Sequence, residues 1–198
     1  MSSGDPDKDA FFEIYKESFL EAYADIVAHM GEKPSVILVE IESAFVHFVK
    51  YDMGIEPSKN LKKAKGHLFR ATLDCYKLIW RETHDVISDI DVYRAAYNGS
   101  EEELLEKLKI RRETTKSARR KELELVGSED IVVFELWKKA AKISLEINDK
   151  INRNQLEELK HLRRAVESKK GKFATYGYPA IMCGLSIIGG FILAYYLL

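Results

Sequence analysis

Cysteine and proline are scarce in this 198-residue chain, at two and four residues. Two cysteines cannot staple a small fold. Cys75 sits in a charged region and Cys183 in an apolar tail, so no bridge joins them and the usage fits a reducing compartment. The few prolines and glycines fall mostly at the ends of helical patterns, which leaves long stretches free to be helical. An excess of either charge is also missing: 31 Lys and Arg face 32 Asp and Glu, for a net charge of −1. Bulk charge therefore names no partner, and any electrostatic message is local.

Chemical signatures are lacking as well. Zinc-ligand spacing, a Gly-rich phosphate loop and a Gly-x-Ser-x-Gly elbow are all absent. The histidines are His29, His47, His67, His84 and His161, and only His161 follows a Glu (Glu158) by three. A carboxylate-bridged di-iron bundle needs two such pairs on facing helices. No catalytic residue, cofactor or metal ligand is expected. The start, MSSGDPDKDAFFEIY, lacks the basic and apolar regions of a secretory signal.

What is present is a run without a single Asp, Glu, Lys or Arg, FATYGYPAIMCGLSIIGGFILAYYLL from Phe173 to Leu198. Residues 178–198 would make a helix about 32 Å long, enough to cross a bilayer. Lys169, Lys170 and Lys172 precede it, with Arg163 and Arg164 behind, so the positive-inside rule places the N-terminal region in the cytoplasm. The expected organisation is a cytoplasmic helical domain over 1–170, a basic, Gly-containing hinge over 171–177 and a C-terminal transmembrane anchor over 178–198. A buried apolar C-terminal helix is the alternative. Ala180 and Gly184, and Ser186, Gly190 and Ala194, repeat at four-residue spacing, which lets helix backbones approach closely in lipid.

The rest of the chain is patterned for helices. Phe12, Tyr15, Phe19, Ala22, Ile26 and Met30 form one stripe, with Asp5 as N-cap, Pro6 at the first helical position and Gly31 as the stop. A second helix runs from about Pro34 to Gly54 on Ile37, Ile41, Ala44/Phe45 and Phe48, although its β-branched start would also suit a strand. Leu61, Ala64, Leu68, Ala71, Cys75, Leu78, Val86, Ile90 and Tyr93 make the longest stripe, missing only at Glu82. Ser100 and Glu103 form a capping box for a fourth helix docked by Leu104, Leu105 and Leu108. Beyond Arg111 only Ala118 is apolar up to Glu122, so this part is expected to project into solvent. Gly127 breaks it, and Ser128 caps a helix facing inward with Ile131, Phe134, Trp137, Ala141 and Leu145. A second capping box, Asn154 to Glu157, and a bend at 152–154 precede Leu156, Leu159, Leu162 and Val166. The fold class is all-α, an up-and-down helical bundle followed by one transmembrane helix.

The strongest soluble signal is a basic run in which Lys109, Arg112, Lys116, Arg119 and Arg120 share one side of a helix. A solvated helix face is the commonest fate of such a run. Anionic lipid headgroups come next, for these residues and for Lys169, Lys170 and Lys172, since each charge near such a surface gains about 1 kcal/mol. Nucleic acid suits it less, because no aromatic side chains interleave for stacking.

The segment NLKKAKGHLFRATLDCYKLIWRE (Asn60 to Glu82), preceded by VEIESAFVHFVKYDMG, resembles HEPN-like helical domains of bacterial defence and toxin systems. The resemblance covers about residues 10–100 and implies an all-α bundle, in a family with many ribonucleases. Its catalytic motif is an Arg followed four to six residues later by a His. Here Arg81 precedes His84 by three, so no catalytic residue carries over. The layout of a helix directly before a C-terminal span also resembles SNARE proteins, but the heptads falter at 152–155. Apoptosis regulators of the B-cell lymphoma type share the anchored helical plan, but their Asn-Trp-Gly-Arg motif is missing.

The leading expectation is a tail-anchored, single-pass protein whose helical domain binds a helical partner, or itself as a homo-oligomer, at the membrane. A membrane-disrupting effector that gathers anchors into a leak, and a membrane-tethered RNA-binding protein or ribonuclease, are the alternatives.

Overall fold

A computed structural model of the chain describes residues 5–124 and 131–172, and every regular element among them is helical. The helices are α1 (Pro6–Ile14), α2 (Leu20–Met30), α3 (Ser35–Asp52), α4 (Pro57–Ile90), α5 (Glu101–Glu124), α6 (Ile131–Asp149) and α7 (Arg153–Lys172). The chain divides into two compact units, residues 1–151 and 152–198. The all-α helical bundle expected from periodicity is present in the first. No helix among the described residues is long and apolar enough to cross a membrane. The anchor expected at 178–198 lies outside the described residues. Gly171 and Lys172, the first two residues of the expected hinge, continue α7 as helix.

The first helix starts as its sequence dictates. The Asp5 carboxylate accepts from the Asp7 amide at 3.0 Å, and Pro6 opens the first turn, where no N–H is needed. The single stripe expected through Met30 holds at Tyr15, Phe19, Ala22, Ile26 and Met30 and fails at Phe12. A π-helical segment at Tyr15–Phe19 separates α1 from α2, so the step from half-buried Ile14 to buried Phe19 is five residues. Phe11 is consequently the fully buried ring, and Phe12 is 39% exposed. Phe11 stacks on Phe48 of α3 with ring centroids 4.3 Å apart, and Phe45 meets it edge-on. Gly31 ends α2 at φ 74°, a left-handed conformation that costs glycine nothing.

α3 is helical throughout despite its β-branched start, with Ile37 and Ala44 buried and Ile41, Phe45 and Phe48 packed beside them. It packs along α4, the axis of the unit. Leu61, Ala64, Leu68, Ala71, Cys75 and Leu78 are buried on α4 as expected. Beyond them the buried line passes through Ile79, Thr83, Ile87 and Ile90 rather than Val86, and helix α4 ends before Tyr93. At the expected gap by Glu82, Thr83 is tolerated in the core because its hydroxyl donates to the Ile79 carbonyl at 2.8 Å. Gly66, expected at a close helix approach, is buried on α4.

After a 3-10 turn at Arg94–Ala96, Ser100 caps α5 by accepting from the Glu103 amide at 3.1 Å. The reciprocal half of the capping box is replaced. The Glu103 carboxylate is held by Lys150 at 2.6 Å and Lys107 at 3.3 Å. α6 packs against both α4 and α5, burying Val133, Phe134, Trp137, Ala140, Ala141, Ser144 and Ile147. Ile131, expected on that face, is 71% exposed. Lys138 and Lys142 of α6 reach Glu21 of α2 at 3.0 and 2.7 Å.

In the second unit, the Asn152 side chain caps α7 by accepting from Gln155 N at 3.2 Å, two residues before the expected cap. Leu162 and Val166 lie more than half exposed on it.

Two outcomes follow from this packing. Ile79→Ala removes a fully buried side chain and should cost about 2–5 kcal/mol in urea denaturation. The Glu21 carboxyl titrates below its ordinary 4.5, held by Lys142 and then Lys138. Since the folded value is the lower one, its stabilisation is complete above the unfolded value and is lost as pH falls through the folded value. Glu21→Gln should therefore be less stable than the parent at pH 7, with the gap closing on acidification below 4.5.

Candidate functional site

The expectation that α5 projects into solvent beyond Arg111 is overturned. Arg111, Thr114, Thr115 and Ala118 are all buried, so α5 has an inward face along most of its length. That face was illegible as a hydrophobic stripe because three of its four members are polar. Thr115 satisfies its hydroxyl on the Arg111 carbonyl at 2.8 Å. Arg111 is 8% exposed; its Nε donates to Ser144 Oγ of α6 at 2.7 Å and an Nη to the Trp80 carbonyl of α4 at 3.4 Å. Ser144 in turn donates to the Ala140 carbonyl at 2.7 Å.

Because α6 packs on both neighbours, α4 and α5 stand apart, and long side chains bridge the gap. Between them opens a cleft of about 470 Å³, floored in part by Ile87 and Leu108. Trp80 is its centre. His84, one turn further along α4, stacks on the indole at 4.7 Å, while the guanidiniums of Arg119 and Arg111 sit 4.7 and 5.1 Å from the ring centroid. Both distances lie within cation–π range. Trp137 meets Trp80 edge-on at 6.0 Å. Burial, and then the neighbouring Arg119, pull the Arg111 guanidinium down to about 10.

The basic residues picked out by sequence separate into groups. Arg112, Lys116 and Arg119 line the cleft. Arg112 faces Asp91 at 3.7 Å, and that is the one carboxylate in the lining. Lys116 and Arg119 have no carboxylate partner among the described residues. Lys109 is exposed away from the cleft, and Arg120 turns to Glu124 at 3.8 Å. Lys169, Lys170 and Lys172 belong to the end of α7. Ala180, Gly184, Ser186, Gly190 and Ala194 lie outside the described residues. Aromatic side chains do accompany the basic run, but they come from α4. The four-residue spacing of Trp80 and His84 was the available signal; what sequence could not show was which helix they would face.

A second polar group ties α3 to α4. His67 Nδ1 lies 2.8 Å from Glu40 and 2.9 Å from an Arg70 Nη, while Arg70 Nε donates to Glu40 at 3.3 Å. One ring nitrogen cannot donate to the carboxylate and accept from the guanidinium at once, so the Arg70 Nε link holds the group together in either tautomer. His47 stacks on His67 at 5.3 Å and bonds Asn60 Oδ1 at 2.8 Å. These rings fit a structural role at the helix boundary. No cluster that could hold a metal occurs among the described residues. Cys75 is buried and its thiol is pushed up to about 12 by burial, which makes it a poor nucleophile.

The outer face of α3 is the third feature. Val39, Val46 and, at the C-cap of the helix, Met53 repeat at seven residues with Val49 between the last two, and their exposures run from 47% to 68%. Glu42 interrupts the line at one position. The core-facing pattern on Ile37, Ile41, Ala44 and Phe48 occupies the opposite side, so this helix is apolar on both.

Removing the hydroxyl in Ser144→Ala leaves Arg111 Nε buried without its acceptor. It should cost about 1–3 kcal/mol in chemical denaturation, with helix content at 222 nm unchanged in the native baseline. No family model, curated protein or solved structure matches this chain.

Proposed function

We propose that the chain is a tail-anchored, single-pass membrane protein whose helical domain associates with a second copy through the outer face of α3. The observation that carries the reading is the exposed apolar line Val39, Val46, Val49 and Met53. Its three- and seven-residue spacing is that of a coiled-coil seam, and α3 at 18 residues is about 27 Å long, enough for several knobs-into-holes layers. A face of this kind left to water is unfavourable in a monomer. An identical face is available on every copy, and a two-fold interface pairs like with like. The charge-free run 173–198 supports the tether, which would hold copies in one plane and raise their effective concentration. Small residues at Ala180, Gly184, Ser186, Gly190 and Ala194 would suit a continuation of the contact in lipid.

The reading is tested on the full chain in mild detergent by light scattering. The parent should be dimeric, and Val46→Glu with Val49→Glu should shift it to monomer while the thermal melt stays within a few degrees. A monomeric parent, or a variant of unchanged mass, would remove α3 as the contact. Expression of the full chain beside a chain ending at Lys172 tests the tether. Membrane fractionation of the full chain alone is the expected result.

A further inference from the structure

Arg111 is buried with only neutral acceptors, and its nearest charged neighbour in the cleft is another guanidinium. Buried charges are ordinarily paired, because removal from water costs several kcal/mol that an opposite charge must offset. Here the opposite charge is missing from the chain's own described residues. Lys116 and Arg119 bring two more unpaired cations to the same wall, and Asp91 is engaged with Arg112. Two of the five N–H groups of Arg111 are used, which leaves donors for a further acceptor. The guanidiniums of Arg111 and Arg119 both lie over Trp80, and the Arg111 fork is further fixed by its bonds to Ser144 and the Trp80 carbonyl.

We infer that the cleft between α4 and α5 is a binding site for a phosphomonoester or diphosphate group, held by Arg111, Lys116 and Arg119. A single carboxylate would neutralise one of three cations. A phosphomonoester carries between one and a half and two charges at neutral pH and three strong acceptor oxygens, which suits two forks and an ammonium. The volume exceeds that of a phosphate alone and lies in the ordinary range for a small organic ligand. Ile87, Leu108 and the exposed ring of His84 would receive the rest of the molecule. The group can be delivered by a free phosphorylated metabolite or by the headgroup of a lipid. This inference is independent of the α3 contact.

The test is calorimetric titration of the full chain in non-ionic detergent with three probes: inorganic pyrophosphate, dihexanoyl phosphatidic acid and dihexanoyl phosphatidylcholine. Saturable one-to-one binding of pyrophosphate, of the phosphatidic acid, or of both is expected, with none to the phosphatidylcholine. Pyrophosphate alone points to a soluble ligand, and the phosphatidic acid alone to a headgroup. Lys116→Gln with Arg119→Gln should weaken binding at least tenfold. Lys109→Gln with Arg120→Gln removes the same charge from the same helix outside the cleft and should change it less than twofold. Equal losses in the two variants would show diffuse attraction to a basic helix and overturn the site. So would absence of pyrophosphate and phosphatidic acid binding at millimolar probe, or equal binding of the phosphatidylcholine.

Discussion

One helix has to be covered on several sides at once, and the first unit is arranged to do it. α4 runs 34 residues, about 51 Å, and its buried line drifts from Leu61 through Leu68 and Cys75 to Ile79, Ile87 and Ile90. No single antiparallel partner covers a line that rotates in this way. α3 takes the first part, and the α1 and α2 segment flanks it with Phe11, Phe19, Ala22 and Ile26. α6 takes the later part with Phe134 and Trp137. The drift is the consequence of a 3.6-residue turn meeting a pattern that does not hold to sevens.

The later part of α4 is where apolar packing gives way to polar chemistry. α6 packs on both α4 and α5, and the space between those two is bridged by Trp80, Arg111 and Arg119 above a floor that includes Ile87 and Leu108. The seal between α5 and α6 is Arg111 on Ser144, a link that is directional where a leucine contact would not be. Such a contact fixes the register of α5 while leaving its cationic groups at the surface of a cleft. The helix boundary between α3 and α4 repeats the idea with Glu40, His67 and Arg70.

How far the sequence could be read depended on whether apolar spacing was the deciding signal. Several helix limits were legible from chemical caps: Asp5 with Pro6, Gly31 and Ser100 mark real ends, the α7 cap lies at Asn152 rather than Asn154, and the stop at Gly127 and cap at Ser128 lie outside the described residues. The inward face of α4 was legible up to Leu78 for the same reason. The π-helical segment was not, because Tyr15 to Phe19 has no residue that demands a wider turn, and one inserted residue moved burial from Phe12 to Phe11. The inward face of α5 beyond Arg111 is not legible as an apolar stripe, because Thr115 and Arg111 enter it by satisfying their polar groups on the Arg111 carbonyl and on Ser144. The cleft was legible only as half a site. The cations were visible in one run, and Trp80 and His84 waited on a packing arrangement that no local pattern encodes.

The link from Glu21 to Lys138 and Lys142 carries a consequence for how the chain reaches this arrangement. It joins residues 117 and 121 apart in sequence, while α3 and α4 meet across a turn of only a few residues at Met53–Glu56. Loop closure costs more entropy the longer the loop, by about 0.6 kcal/mol for each doubling. The hairpin of α3 and α4 thus closes at lower entropic cost than the contact between α2 and α6, and α6 is the element that ties the two ends of the unit together. A nascent chain displays the α3 hairpin, with its apolar outer face, well before α6 has been synthesised. Order of synthesis therefore exposes the outer face of α3 earlier than α6, the helix that completes the unit.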